Sequence, residues 1–230
     1  GLNHSFKTAY VCTEWEQARA TWQVLQDRGV ISPESRVFVV QSVEDLMDMA
    51  RPEVSMKGYH FRQTADIDCS GISTWFDIEL QGIFDGGGFT IMGRKLEKPF
   101  YLFKNTQPES VIKNVKLKNL GLVIVAKESE IYDCQSTHTL FSNLNGCCVL
   151  SCSSDQDLCN STINSVIKYC SAELRIVYDN AEGSNFFSCK AGDSFFYGSP
   201  VQCVIQDCLT NIKSDGGAGF SSGSLVACQL

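Results

Sequence analysis

The chain has 230 residues, 43% of them hydrophobic and 20% charged, which is enough apolar material for a core and excludes a disordered chain. A net charge of −7 argues against a sequence-independent nucleic-acid binder, and no apolar run approaches the ~20 residues of a bilayer span. The opening segment GLNHSFKT lacks the basic-then-apolar layout of a signal peptide, and a first residue that is Gly rather than Met points to a trimmed chain.

Residues 11–30 are predicted to form a helix. Thr13 and Glu16 make a capping box, Trp15, Ala18, Trp22 and Leu25 repeat on one face, and Gly29 stops it. This helix is expected to plug an open end of the fold or to dock a partner. A short strand follows at Val37–Val40, then a second helix over Val43–Ala50, capped by Ser42 and ended by Pro52. Residues 1–53 are therefore expected as a helical cap, and residues 54–230 as the body it packs on.

The body repeats. Cys134, Cys152, Cys170, Cys189, Cys208 and Cys228 are separated by 18, 18, 19, 19 and 20 residues, and one further step back lands on Val115. Each ends a short apolar phrase, as in Ile112-Lys-Asn-Val115 and Ile167-Lys-Tyr-Cys170. A second series, Phe103, Val123, Phe141, Cys159, Tyr178 and Phe196, runs half a period out of phase. A period this short, rich in Gly, Ser, Asn and β-branched residues, suits neither helical repeats nor leucine-rich ones. It fits one coil of a parallel β-helix, two or three short strands and their turns. Asn114, Asp133 and Asp207 fall where the chain must take a left-handed corner. Ser151, Tyr169, Ser188 and Ala227 occupy the same slot but tolerate it less, so the corner is expected to vary from coil to coil.

The ladder cysteines stand where Val115 stands, so they are expected to act as small buried hydrophobes, unpaired and stacked, which suits a reducing compartment. Of the vicinal pair Cys147 and Cys148, at most one is expected in the core.

Three phrases in order carry a resemblance: Gln41-Ser-Val-Glu-Asp-Leu46, Gly58-Tyr-His-Phe-Arg-Gln-Thr-Ala-Asp-Ile-Asp-Cys-Ser-Gly71, and Gly82-Ile-Phe-Asp-Gly-Gly-Gly-Phe-Thr-Ile91. With Tyr101-Leu-Phe103 and Val111–Leu122 they resemble bacterial surface proteins bearing GLUG-type repeats, over roughly residues 41–122. The resemblance implies an all-β, right-handed parallel β-helix, and the whole body is expected to make about nine or ten short coils. It also implies an exported scaffold rather than a particular reaction. Cys69 replaces the leucine usual in that phrase.

Candidate chemistry is sparse. Asp66 and Asp68 share a face of an extended segment, as a cation site or as hydrogen-bond acceptors between coils. Asp85-Gly86-Gly87-Gly88 lacks the Lys-Ser/Thr of a phosphate loop. His60 and His138 lie far apart in sequence, and no acid cluster marks a glycan-cleaving site. No catalytic residue, cofactor or metal is expected. Lys113, Lys116 and Lys118, outward by alternation, are expected to form a basic binding flank. Asn160-Ser-Thr162 fits a glycosylation sequon. The expected role is a non-enzymatic recognition or adhesion module of an exported bacterial protein, at the cell surface or secreted. Its partner would be a host glycan or protein. The alternatives are an effector delivered into host cytoplasm that binds a protein there, and a polysaccharide-cleaving enzyme.

Overall fold

The computed structural model describes residues 37–56 and 58–210, with the backbone alone at 223–226. The expected helix over 11–30, and Cys228 and Ala227, lie outside the described residues.

The chain winds as successive coils. The first consists of β1 (Val37–Val40), α1 (Val43–Met49) and α2 (Pro52–Ser55). The second has β2 (His60–Gln63), β3 (Ile67–Asp68) and β4 (Glu79–Leu80). The third has β5 (Ile83–Asp85), β6 (Thr90–Met92) and β7 (Phe100–Thr106). The fourth has β8 (Val111–Lys113), β9 (Lys116–Lys118) and β10 (Leu120–Lys127). Next come β11 (Glu130–Tyr132), β12 (Gln135–Ser136) and β13 (Phe141–Asn145), then β14 (Cys148–Leu150), β15 (Ser153–Ser154) and β16 (Cys159–Ile163). The seventh coil has β17 (Val166–Lys168), β18 (Ser171–Ala172) and β19 (Ala181–Glu182), and the eighth β20 (Asn185–Phe187) and β21 (Lys190–Ala191). β22 (Cys203–Gln206), β23 (Leu209–Thr210) and β24 (Gly223–Val226) follow.

These strands build three parallel sheets along one axis. Sheet 1 has ten strands (β1-β2-β5-β8-β11-β14-β17-β20-β22-β24), sheet 2 has eight and sheet 3 has six. The molecule is an all-β parallel solenoid. In the first coil, α1 and α2 stand where later coils carry strands of sheets 2 and 3. Ser42 caps α1 by accepting the Asp45 N–H, and Leu46, Met49 and Val54 turn into the core at that end.

Sheet 1 points one column inward. Phe38, Phe61, Phe84, Ile112, Ile131, Val149, Ile167, Phe186 and Ile205 are successive partners in its register. From Phe61 onward all are at most 1% exposed. Val115 and Cys134, Cys152, Cys170, Cys189 and Cys208 are buried at the start of sheet 2. Each of these five cysteines is a free thiol. Each sulfur sits 3.2–3.4 Å from the carbonyl two residues upstream, near enough to donate a weak hydrogen bond.

The corner between sheets 1 and 2 is uniform, contrary to the expected variation. Asn114, Asp133, Ser151, Tyr169, Ser188 and Asp207 all lie at φ of 52–55°. The reason is intercoil hydrogen bonding. The N–H groups of Asn114, Asp133, Ser151, Tyr169 and Ser188 donate to Tyr132, Leu150, Lys168, Phe187 and Gln206 one coil on, at 2.9–3.2 Å. A left-handed conformation costs a non-glycine residue ~1–2 kcal/mol, and the ladder imposes it even on tyrosine.

A second left-handed corner joins sheet 3 to sheet 1, at Glu109, Glu128, Gly146, Asn164, Gly183 and Gln202. The residue after each is buried: Ser110, Ser129, Cys147, Ser165, Ser184 and Cys203. Here the hydroxyls satisfy the backbone. Ser165 Oγ accepts the Cys147 N–H at 3.1 Å, and Ser184 Oγ accepts the Ser165 N–H at 3.2 Å. Both vicinal cysteines are buried, but on opposite faces, and one alone enters the main core, as expected from alternation. Cys147 joins this column in the main core, whereas Cys148 points out of sheet 1 into a separate apolar cluster. Cys148 is disulfide-bonded, a departure from an all-thiol chain.

The inner column of sheet 3 is Phe103, Val123, Phe141, Cys159, Val177 and Phe196. Val177 replaces Tyr178 in the expected series, because that coil is one residue shorter than the assumed spacing; Tyr178 points outward. Asp66 binds between coils, its Oδ1 accepting the Thr90 N–H at 2.8 Å.

Cys170→Val should be tolerated at under ~1.5 kcal/mol, since the site holds an apolar residue in another coil. Cys170→Asp should prevent folding by burying an unpaired charge. Chemical denaturation of both variants checks the contrast.

Candidate functional site

The three lysines of the expected flank are not together. Lys113 ends β8 in sheet 1 and is 8% exposed, with Nζ 3.8 Å from Asp85 Oδ2 and 6.0 Å from the Tyr132 ring centre. Lys116 and Lys118 lie beyond the Asn114 corner, exposed on sheet 2. Alternation holds only within one strand, and the left-handed residue between them redirects the chain.

His60 and several buried thiols are shifted away from reactivity. Burial lowers His60 to about 4, helped by Lys113 and Arg62. Burial also raises Cys69 and Cys147 to about 11, and lifts Cys152, Cys159, Cys170 and Cys189 further. Such thiols are almost wholly protonated at neutral pH and are poor nucleophiles. Among the described residues no group of three or more His, Cys, Asp or Glu could hold a metal ion. Thr162 of the sequon is buried, its Oγ1 3.2 Å from Ser184 Oγ.

The outer surface of coils seven and eight is different. Ile176-Val177 and Phe195-Phe196 turn inward, and the next residues, Tyr178 and Tyr197, emerge 42% and 70% exposed. Their backbones are held one coil apart, the Tyr178 N–H donating to Cys159 and the Tyr197 N–H to Val177 at 3.0 and 3.1 Å. The rings stack with centres 5.2 Å apart and planes 3° from parallel. Arg175 braces them, its guanidinium 4.9 Å from the Tyr178 centre and 5.6 Å from that of Tyr197.

Arg175 is itself fixed from the preceding coil. Its Nε and Nη2 donate to Asp157 Oδ1 and Oδ2 at 2.8 and 3.3 Å, and its backbone N–H donates to the same carboxylate. The paired carboxylate raises the guanidinium pKa further above its usual value. Gly198 is required beside this platform, because a Cβ there would lie 1.8 Å from the Asp179 carbonyl oxygen.

Two residues beyond each tyrosine the chain enters a cleft of about 390 Å³ on sheet 3. Its lining includes Asn143, Ser161, Asn180 and Ser199, with Ile163 and Glu182. Asn143 and Ser161 are register partners in adjacent strands, so amide and hydroxyl groups recur one coil apart. A flat aromatic pair thus borders a row of hydrogen-bonding groups. The sequence carried one sign of it: Arg175-Ile-Val-Tyr178 and Ser194-Phe-Phe-Tyr197 end in tyrosines 19 residues apart, the period of the fold.

No family model matches the chain, and no curated protein matches it. A solved structure from Bacteroides ovatus, provisionally described as an immunoglobulin A1 protease, is similar at 14% identity over 85% of each chain, with a TM-score of 0.45.

Gly198→Ala should cost ~1–3 kcal/mol or more, since the clash is with backbone, and should disturb the tyrosine stack. Lowered denaturation midpoints with altered near-ultraviolet dichroism would register both effects. On sheet 1, burial raises the Glu130 carboxyl to about 8, against 4.5 when unperturbed. The folded state then holds a proton that the unfolded state releases, so this group's stabilisation is complete below about pH 4.5 and lost as pH rises through 8. Glu130→Gln should flatten that decline when midpoints are measured from pH 4 to 9.

Proposed function

We propose that this chain is a non-enzymatic recognition module that binds a glycan on the outer surface of coils seven and eight. The observation that carries the reading is the exposed, coplanar Tyr178–Tyr197 pair bordering the Asn143–Ser161–Asn180–Ser199 cleft. A sugar ring offers an apolar C–H face and a rim of hydroxyls. The paired tyrosines match the face, and the amides, hydroxyls and Glu182 match the rim. Because Asp157 and Arg175 hold the rings in place, little side-chain freedom is lost on binding.

The wider setting belongs to the same proposal. The resemblance of residues 41–122 to GLUG-type surface proteins supports an exported bacterial protein that uses this surface for adhesion to a host. Exposed Lys116 and Lys118, on sheet 2, would add a salt-dependent contact to an acidic glycan or protein. A second reading, an effector in host cytoplasm bound to a protein, is favoured by the nine free thiols.

A glycan array followed by calorimetry tests the first reading. The wild-type chain should bind at least one glycan class, and Tyr197→Ala should weaken it at least tenfold with the melting temperature unchanged. No binding across the array, or binding indifferent to Tyr197→Ala, would overturn it. Capture of a cytosolic protein with no glycan bound would support the second.

A further inference from the structure

The cleft on sheet 3 carries a second period laid over that of the coils. Two outward columns run along it, on either side of the buried row Leu144–Thr162–Ala181. Asn145, Ile163, Glu182 and Val201 follow one another directly in register. In the other column Asn143 pairs with Ser161, and the Thr162 N–H donates to the Asn180 carbonyl at 2.8 Å, which sets Asn180 beside Ser161. Ser199 precedes Val201 by two residues, as Asn180 precedes Glu182.

Taken coil by coil, the columns alternate. Coils five and seven present long polar pairs, Asn143 with Asn145 and Asn180 with Glu182. Coils six and eight present a hydroxyl beside an aliphatic group, Ser161 with Ile163 and Ser199 with Val201. Ile163 and Val201 are 40% and 42% exposed, so these aliphatic positions are open to a ligand. Val125, the register partner of Asn143 one coil earlier, ends the polar column on that side. The chemistry therefore repeats every second coil, about 9.6 Å, over a stretch of three coil steps, about 14 Å.

We propose, building on the glycan reading, that the bound glycan is a linear chain of β-1,4-linked pyranose sugars. It lies along the solenoid axis with one sugar over each of coils five to eight. In such a chain each ring is turned over relative to the last, so hydroxyl edges and apolar C–H surfaces alternate along one side. One sugar with its bridging oxygen takes up nearly one coil step, so the two-sugar repeat falls on the two-coil repeat. Rings over coils five and seven meet amide and carboxylate groups that bond their hydroxyls. Rings over coils six and eight turn an apolar surface to Ile163 and Val201. The end over coils seven and eight also reaches Tyr178 and Tyr197, and so is held most firmly.

Other extended ligands fit the columns less well. An α-1,4-linked chain curls and leaves the axis within a few sugars. The side chains of an extended peptide recur on one face every ~6.6 Å, which falls out of step with the two-coil repeat.

Calorimetry of the full chain with β-1,4-linked oligomers of glucose, N-acetylglucosamine and mannose, two to six sugars long, tests the axial chain. In at least one series affinity should rise tenfold or more from two sugars to four, then level off. Oligomers of α-1,4-linked glucose of equal length should bind at least tenfold more weakly. The Asn143 amide is exposed and donates to the neighbouring Ser142 hydroxyl at 3.2 Å, so its removal spares the core. Asn143→Ala should cost a four-sugar oligomer at least five times more affinity than a two-sugar one, which sits beside the tyrosines. Affinity independent of length, equal binding of α- and β-linked chains, or equal losses in Asn143→Ala would overturn the axial chain and leave the glycan reading standing. Binding confined to a glycan class without β-1,4 links would do the same. Absence of binding to every glycan would overturn the glycan reading itself, and the axial chain with it.

Discussion

Parallel hydrogen bonding between successive coils is the constraint on which the rest of this molecule depends. It fixes each residue's environment by the residue one period away, so that side chains are sorted into columns before any single contact is optimised. Corner residues show its strength. Tyr169 is a poor left-handed residue and more than half exposed, yet it takes the same backbone angle as Asn114, because its N–H must reach the coil above.

The columns differ in what they tolerate. The sheet 1 interior takes phenylalanine or branched aliphatics, with Phe84 and Phe103 meeting edge to face across the core at 5.2 Å. The start of sheet 2 takes valine or cysteine, since a thiol is small and needs no full hydrogen-bond partner. The corner into sheet 1 takes serine or cysteine, because the group must reach a nearby carbonyl. Cys147 and Ser165 are alternatives there, each lying 3.0–3.5 Å from the carbonyl two residues upstream. Seven of the chain's cysteines thus reflect two unrelated requirements for a small side chain.

Much of this was legible in the sequence. The cysteine period defined the coils, and Asn114 and Asp133 marked the corner, because Asn and Asp carry a recognisable preference for it. Three things were not. Lys113 was misplaced because alternation was counted through the corner at Asn114, where the strand ends. Tyr178 was put inside because a period of 18–20 residues leaves a one-residue ambiguity, and only Val177's pairing resolves it. The serine column was silent, since serine is common in loops and signals burial only when its hydroxyl's partner is known. The Tyr178–Tyr197 platform was half legible: the spacing was visible, but its direction was not.

Closure of the corners from Glu109 to Ser188 by the coil above has a consequence for the length of the molecule. A block of 18 or 19 residues running from one corner to the next carries its own donors, acceptors and inward columns. Copying or deleting such a block leaves both neighbours with unchanged partners, whereas adding a single residue within it would turn a whole strand inside out. Length along the axis is therefore a free variable of this architecture. The span between its two ends can be reset in steps of ~4.8 Å without redesign of any face.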